Sequence, residues 1–237
     1  MIRAIGPALT SFGVPGVLSN PRVRLFQGST VIMENDDWSL GGFGPQIADT
    51  AARLYAFPLP AGSADAALIA RLDPGIYTAQ VTTDNSAAGV ALIEVYDTTA
   101  ASSGSKLISV STRGSVGRGA DALIVGLAIS GNAAKRVLIR GVGAALGDFG
   151  VSGTLSDPIL HLYNKDGVVI AANDNWSSGT DPAAIVAAAS QVQAFPLIQG
   201  SKDAALLLYL APGSYTAQVS GVGDTTGVAL VEVYEVP

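Results

Sequence analysis

Short runs of alternating apolar and polar residues recur along this chain, and turn-forming residues separate them. Residues 22–26 alternate polar and apolar side chains, and Gln27-Gly28-Ser29 divides them from the mainly apolar residues 30–33. Alternation of this kind is typical of a half-buried strand, and a short glycine-containing break between two such runs predicts a β-hairpin. In the second half, residues 159–163 precede Asp166-Gly167, which is a strong hairpin signal.

The second half of the chain repeats the pattern of the first half at a nearly constant offset. Asn35-Asp36-Asp37-Trp38 matches Asn173-Asp174-Asn175-Trp176 at an offset of 138 residues, whereas Arg3 and Arg140 differ by 137. Solenoid repeats have periods of roughly 20–50 residues, so a period this long predicts tandem domains instead. A chain of 237 residues is long enough for two domains of ordinary size.

Each half contains one predicted helix and three closing strands. Asp181-Pro182 predicts a helix start, because aspartate caps the first turn and proline fits the first helical position. The counterpart in the first half is residues 45–54. The closing strands are predicted at residues 66–72, 76–82, 90–96, 204–210, 214–220 and 228–234. Many short strands with one small helix predict an antiparallel β-sandwich.

One segment, residues 97–136, has no counterpart in the other half. Its first part is small and polar, which is typical of a linker, and further strands are predicted at residues 107–111, 122–129 and 136–139. We therefore predict an all-β fold of two tandem antiparallel, jelly-roll-like β-sandwich domains, each with one short helix. The predicted organisation is a first repeat at 1–98 without its leading strands, a linker at 99–106, and a second, complete repeat at 107–237.

The composition of the chain limits the classes of partner that it can bind. The net charge is −6 and the isoelectric point is about 4.6, so no basic surface is available to neutralise nucleic-acid phosphates. The most apolar stretch, residues 122–129, is far shorter than the roughly 20 residues that a membrane-spanning helix needs. There is no cysteine, so disulfides do not stabilise the fold. We expect neither a nucleic-acid partner nor membrane insertion.

Several motifs of the second half together carry a family resemblance. They are Asp157-Pro158, Asp166-Gly167, Asn173-Asp174 and the Pro212-Gly213-Ser214-Tyr215 turn. These motifs resemble bacterial pre-peptidase C-terminal (PPC-like) domains, and the tandem arrangement resembles repeats in large secreted or surface proteins of environmental bacteria. The resemblance implies a jelly-roll-like sandwich that is exported with its parent protein, lies outside the cell or on its surface, and has no catalytic activity. Some relatives bind calcium or polymeric substrates.

The residues themselves give little support to an enzyme. His161 is the only histidine, and Arg24 takes its place in the first half, so a histidine-dependent nucleophile would exist once at most. We expect His161 to have a structural position at the surface or at a sheet edge. Glu94 and Glu232 alternate with valine and tyrosine and are expected to face solvent in separate domains, which excludes a glycosidase pair. We predict no enzymatic activity.

Oxygen-bearing side chains on and near the repeated turns make calcium the one candidate ion, although no cofactor is required. Calcium takes six to eight oxygen ligands. The alternative is that asparagine and aspartate cap the turns by bonding backbone amides. The candidate calcium ligands are Asn35, Asp36, Asp37, Asp65, Asn173, Asp174, Asn175 and Asp203.

Trp38 and Trp176 also have two interpretations. An exposed indole would stack on a sugar ring, whereas a buried one would cover the end of the sandwich.

The sequence therefore favours a non-catalytic extracellular structural or adhesive module. One alternative is a self-assembling filament subunit, joined by β-strand complementation to other copies or to neighbouring repeats. The other is a calcium-dependent module that binds extracellular polysaccharide.

Overall fold

The computed structural model describes residues 1–84, 87–98, 106–179 and 181–237. They form two compact units, Met1–Lys106 and Leu107–Pro237, which we call unit 1 and unit 2. Of the predicted linker at 99–106, residues 99–105 lie outside the described residues. Within the described part of the chain, no helix is both long and apolar enough to cross a membrane.

Unit 1 contains six strands within its described residues, in two antiparallel sheets. Its elements are β1 (Ile2–Ile5), β2 (Arg22–Gln27), β3 (Thr30–Asn35), α1 (Gly44–Arg53), β4 (Ala66–Leu68), β5 (Thr78–Thr82) and β6 (Leu92–Val95). One sheet has the strand order β4-β1-β6, and the other has the order β3-β2-β5. Buried apolar residues of β1, β2 and β4 pack together between the sheets, which makes this unit a sandwich.

Unit 2 contains eight described strands, again in two antiparallel sheets. Its elements are β7 (Ser109–Val116), β8 (Leu123–Ile129), β9 (Lys135–Val142), β10 (Pro158–Asn164), β11 (Val169–Asn173), α2 (Pro182–Gln191), β12 (Ala204–Leu210), β13 (Gly213–Gly221) and β14 (Gly227–Glu235). The strand orders are β12-β9-β14-β7 and β11-β10-β13-β8. Its core takes buried residues from both sheets. The predicted all-β, antiparallel sandwich fold is confirmed.

The two units share a strand order except at one side. The order β4-β1-β6 corresponds to β12-β9-β14, and β3-β2-β5 corresponds to β11-β10-β13. Unit 2 continues with β7 beside β14 and with β8 beside β13. Among the described residues, β6 therefore pairs only with β1, and β5 pairs only with β2.

The described residues of each unit include one α-helix, as predicted. Asp181 caps α2 by accepting a hydrogen bond from the backbone N–H of Ala184 at 2.9 Å, and Pro182 is the first helical residue. Helix α1 begins at Gly44 without a side-chain cap. Ile47 and Ile185 of the two helices are buried in the clusters that contain the two tryptophans.

The strand predictions are closer in unit 2 than in unit 1. The prediction for residues 204–210 coincides with β12, whereas β4, β5 and β6 are all shorter than predicted. For β5 and β6 the pairing explains the difference, because each has one neighbour and the matching β13 and β14 each have two. The predicted strand at 107–111 is also wrong in its bounds, since β7 runs from Ser109 to Val116 and follows β14 along its length.

Candidate functional site

A buried arginine on an inner strand of unit 2 organises a polar cluster. Arg140 of β9 has no exposed surface, and its Nε donates a hydrogen bond to Oε2 of Glu232 on β14 at 2.7 Å. Its Nη1 donates to the carbonyl of Phe195 at 2.5 Å. The guanidinium carbon lies 4.3 Å from the centroid of the Phe195 ring. Arginine suits this place because its planar group combines ring stacking with several directed hydrogen bonds.

The same cluster exists in unit 1. Arg3 is also fully buried, donates from Nε to Oε2 of Glu94 at 2.7 Å and from Nη1 to the carbonyl of Phe57 at 2.7 Å. Its guanidinium carbon lies 4.6 Å from the centroid of the Phe57 ring. The repeated arginine and glutamate therefore form a buried ion pair in each unit, on the sheet face that the phenylalanine segment covers.

A tyrosine completes each cluster. The hydroxyl of Tyr234 donates to Oε1 of Glu232 at 2.8 Å, and that of Tyr96 donates to Oε1 of Glu94 at 3.0 Å. Burial raises the pKa of Tyr96 to about 12, and the Glu94 carboxylate adds to the effect. Burial and Glu232 likewise raise the pKa of Tyr234. Both phenols therefore stay protonated as donors well above neutral pH.

The expectation that Glu94 and Glu232 face solvent is wrong. The Glu232 side chain is only 6% exposed, and that of Glu94 is 18% exposed. Alternation along β14 does place Glu232 and Tyr234 on one face, but that face packs against Arg140 and the Phe195 segment instead of water. The two carboxylates are engaged inside separate units.

His161 lies on β10, which is an inner strand between β11 and β13. It is partly exposed, so it reaches the surface but is not at a sheet edge. Its ring centroid is 6.3 Å from that of Tyr163. Of the two positions expected for His161, the structure has the one at the surface, because the edge strand on this side of the sheet is β11.

Two buried aspartates bind the backbone just after the inner strands β9 and β1. Oδ1 of Asp203 accepts hydrogen bonds from the backbone N–H groups of Gly143 at 2.8 Å and Ala145 at 3.3 Å. Its Oδ2 accepts from the hydroxyl of Ser201 at 2.8 Å. Asp65 makes the same three contacts at the matching positions of unit 1. Both carboxylates are thus bound to their own unit's backbone, as a buried charge requires.

The asparagines of the repeated turns also bond to backbone. Asn35 accepts from the N–H of Ala67 at 2.9 Å and donates to the carbonyl of Asp37 at 3.0 Å. Asn173 makes the matching contacts with the N–H of Ala205 and with the carbonyl of Asn175, at 3.0 and 3.3 Å. The asparagine side chains therefore connect each turn to the neighbouring strand, as the capping interpretation expects.

In unit 1, part of the candidate calcium set lines an open recess of about 260 Å³. The lining residues are Arg22, Glu34, Asn35, Asp36, Asp37, Leu40 and Gly41. Arg22 forms an ion pair with Asp36 at 2.9 Å, so a positive charge already lies there. Asp65 is not among the lining residues, and in unit 2 Asp174 is exposed. The described residues contain no group of three or more His, Cys, Asp or Glu side chains that would hold a metal. Calcium binding stays a prediction.

The two tryptophans do not offer stacking surfaces. Trp38 is 7% exposed and Trp176 is 2% exposed. The Trp176 Nε1 donates to the carbonyl of Ile198 and to the hydroxyl of Ser201, both at 3.2 Å, and Trp38 makes matching contacts in unit 1. The prediction that the rings stack on sugars is wrong, because the helix and the segment after it cover them.

The most distinctive surface is the side of unit 1 where β5 and β6 end its sheets, which we call the open side. Ile93 of β6 is 37% exposed, whereas the matching Val231 of β14 is fully buried. Ala91, just before β6, is also exposed, whereas the matching Ala229 has no exposed surface. The open side therefore exposes apolar positions whose counterparts form the core of unit 2.

Sequence reasoning missed the buried arginine clusters. A signal was present, because an arginine and a glutamate recur at matching positions on strands that are otherwise apolar. A charged residue that is kept in two copies of a buried strand indicates an internal partner. Arg140 and Glu232 are directly opposite each other across β9 and β14.

No protein-family model matches this chain, and no curated protein matches it. Among solved structures, it is similar to the pre-peptidase C-terminal domain of a collagenase from Bacillus anthracis. The match covers 53% of this chain and 89% of that chain, with 12% identical residues and a TM-score of 0.32. That is the kind of domain that the sequence motifs resemble, but a likeness at this level does not establish membership of the family.

Proposed function

We propose that this chain is a non-catalytic structural or adhesive module of a secreted or cell-surface bacterial protein. One observation carries the proposal: the charged residues that recur in both units are turned inward and bonded to their own fold. Arg140, Glu232 and Asp203 have their hydrogen bonds within unit 2, and their counterparts do the same in unit 1. Groups bound in this way stabilise a scaffold and are not available to a substrate.

A combined binding and turnover assay tests the proposal. The full chain is incubated with insoluble cellulose, chitin and peptidoglycan, and with casein, and then sedimented. We expect no release of reducing sugars or peptides above the level of heat-denatured chain, whether or not the chain is retained on the polymer. Turnover that disappears in the H161A variant contradicts a non-catalytic role, since His161 is the only histidine.

A second candidate function is a self-assembling filament subunit. The open side of unit 1 favours it, because unpaired strand edges with apolar neighbours are sites of strand addition. Sedimentation velocity over a wide concentration range tests it. Growing species indicate assembly, and a single species at all concentrations contradicts it.

Calcium-dependent polysaccharide binding is the remaining proposal. The recess beside Asp36 and Asp37 supports only the calcium part, since the indoles are buried. Calorimetric titration of chelator-treated chain with calcium chloride tests it. Heat of binding that is lost in a D36N/D37N variant supports a site, and the absence of heat contradicts it.

A further inference from the structure

The open side of unit 1 can be compared position by position with the covered side of unit 2. In unit 2, β7 and β8 lie in opposite sheets and are joined by a turn in which the N–H of Gly117 donates to the carbonyl of Asp121 at 2.7 Å. We call residues 109–129 the arch, because this segment crosses from one sheet to the other. The arch adds one edge strand to each sheet.

The arch covers the residues that are exposed in unit 1. Thr112 of β7 lies opposite Val231, and Gly114 lies opposite Ala229. Val231 and Ala229 have no exposed surface, whereas Ile93 and Ala91 at the matching positions of unit 1 are exposed. Among the described residues of unit 1, no strand with the character of β7 therefore lies beside β6.

The second sheet shows the same relation. Leu123 and Val125 of β8 lie opposite Val219 and Ala217 of β13, which are fully buried. Their counterparts Val81 and Ala79 in β5 are only partly buried. In the part of the chain that the structure describes, both sheets of unit 1 therefore end one strand earlier than those of unit 2, on the same side of the sandwich.

We propose that the open side of unit 1 binds a β-arch with the sequence pattern of β7 and β8, supplied from outside residues 1–237. This chain's own arch does not serve, because its two strands already pair with β14 and β13. The arch of a second copy is engaged in the same way, and its transfer would expose the core of that copy's unit 2. The occupant presents alternating small or apolar side chains, as β8 does with Leu123, Val125 and Leu127.

This inference goes beyond the structural or adhesive role, since that role requires no particular surface. It commits the open side to a binding mode in which the partner adds a strand to each sheet. Backbone hydrogen bonds supply affinity, and the inward side chains of the arch supply specificity.

A fusion variant tests the proposal directly. Residues 107–137 of this chain are placed immediately before Met1, because the offset of 137 makes Leu138 the counterpart of Met1. The matched control carries Asp at the fused copies of Val125 and Leu127, which makes burial of that strand unfavourable. Amide hydrogen exchange is measured at β5 and β6, with β13 and β14 as internal references.

We expect the amides of β5 and β6 to exchange at least tenfold more slowly in the fusion than in the unmodified chain and in the Asp control. Unchanged exchange, or equal slowing in the control, overturns the proposal. A synthetic peptide of residues 107–131, added in excess to the unmodified chain, gives a second measurement if the fusion does not fold. Slower exchange at β5 and β6 with this peptide supports the proposal, and no change contradicts it.

Self-association is the competing outcome. If the unmodified chain forms dimers in sedimentation velocity and dilution exposes β5 and β6 to exchange, a second copy occupies the open side. That result overturns the arch as the occupant. Neither the exchange result nor the sedimentation result changes the outcome of the turnover and binding assays described above. The arch proposal and the proposed structural or adhesive role can therefore fail independently of each other.

Discussion

Arg140 and Glu232 face each other across β9 and β14, with the arginine Nε 2.7 Å from the glutamate Oε2. Arg3 and Glu94 have the same relation across β1 and β6, at the same distance. The glutamate differs in exposure, 6% in unit 2 and 18% in unit 1. Strand β7 accounts for the lower exposure of Glu232, because its Ser111 lies beside Glu232. Among the described residues, β6 has no such neighbour beside Glu94.

Replacing Glu232 by glutamine should destabilise unit 2 strongly. A buried guanidinium that loses its carboxylate costs about 3–5 kcal/mol, because its charge is left uncompensated away from water. Denaturant unfolding of the E232Q variant, followed by circular dichroism, measures the loss. The control is E34Q, whose exposed pair with Arg24 contributes about 0–1 kcal/mol. Equal losses in the two variants would show that the buried cluster does not stabilise the fold.

Alkaline pH should lower the stability of both units. The pKa of Tyr96 is raised to about 12 in the folded chain, from an ordinary value of 10, and that of Tyr234 is raised as well. The unfolded chain therefore loses its phenolic protons first, and stability falls as pH rises from about 10 to 12. Below pH 10 the phenols are protonated in both states and contribute no pH dependence.

Thermal unfolding at several pH values checks this expectation. Above pH 10, the melting temperature of the Y234F variant should fall less steeply with pH than that of the parent chain. The Y209F variant is the control, because Tyr209 is largely exposed. Parallel curves for the parent chain and Y234F would contradict the assignment of this pH dependence to the buried phenol.

Gly143 should not accept a side chain. A Cβ at this position would lie 2.1 Å from the carbonyl oxygen of Leu155, which belongs to the backbone and has little room to move. We expect G143A to lose at least about 2 kcal/mol of stability. In G147A the added methyl meets open space, so the change should stay within about 1 kcal/mol. Melting curves of the two variants give the comparison, and equal values would contradict the close approach.

Unit 2 should unfold at low force when it is pulled at the start of β7 and the end of β14. Ser109 and Tyr234 are opposite each other, so the start of β7 lies beside the end of β14. Pulling at these ends separates the strands one hydrogen bond at a time. Pulling at the start of β7 and the start of β14 instead loads all of the inter-strand hydrogen bonds at once. The reason is that these bonds run perpendicular to the strands.

Force spectroscopy with cysteine attachment points tests this geometry, and the chain has no native cysteine to interfere. The L107C/P237C variant should unfold at lower force than L107C/T226C, in which the strands are sheared. If both variants unfold at the same force, the β7–β14 pair is not the first part of unit 2 to yield. A low force in the first variant would favour an adhesive over a load-bearing role.

The alternation of apolar residues and the turn motifs predicted the strands and the sandwich, because those signals are local. Alternation does not say what covers each face. Glu232 shares a face with Tyr234, and only the contacts with Arg140 and Phe195 show that the face is buried. Trp176 had the same ambiguity, since a position after a polar turn does not reveal the helix that packs over it.

The pairing of β7 and β8 was harder to predict for a related reason. Residues 97–136 occur once in the sequence, but strand pairs that are distant in sequence depend on the whole fold. Ser109 pairs with Tyr234, which is more than a hundred residues away. The exposed counterparts in unit 1 become visible only when both units are compared in space.

The central claim is that the sheets of unit 1, over its described residues, end one strand earlier than those of unit 2. Hydrogen exchange of the unmodified full chain tests this claim most directly. Exchange rates are read for Ile93 and Val81 of unit 1 and for the matching Val231 and Val219 of unit 2. The account predicts that β5 and β6 exchange at least tenfold faster than β13 and β14, because edge strands open more readily than inner ones. Equal protection of the two pairs of strands would contradict it.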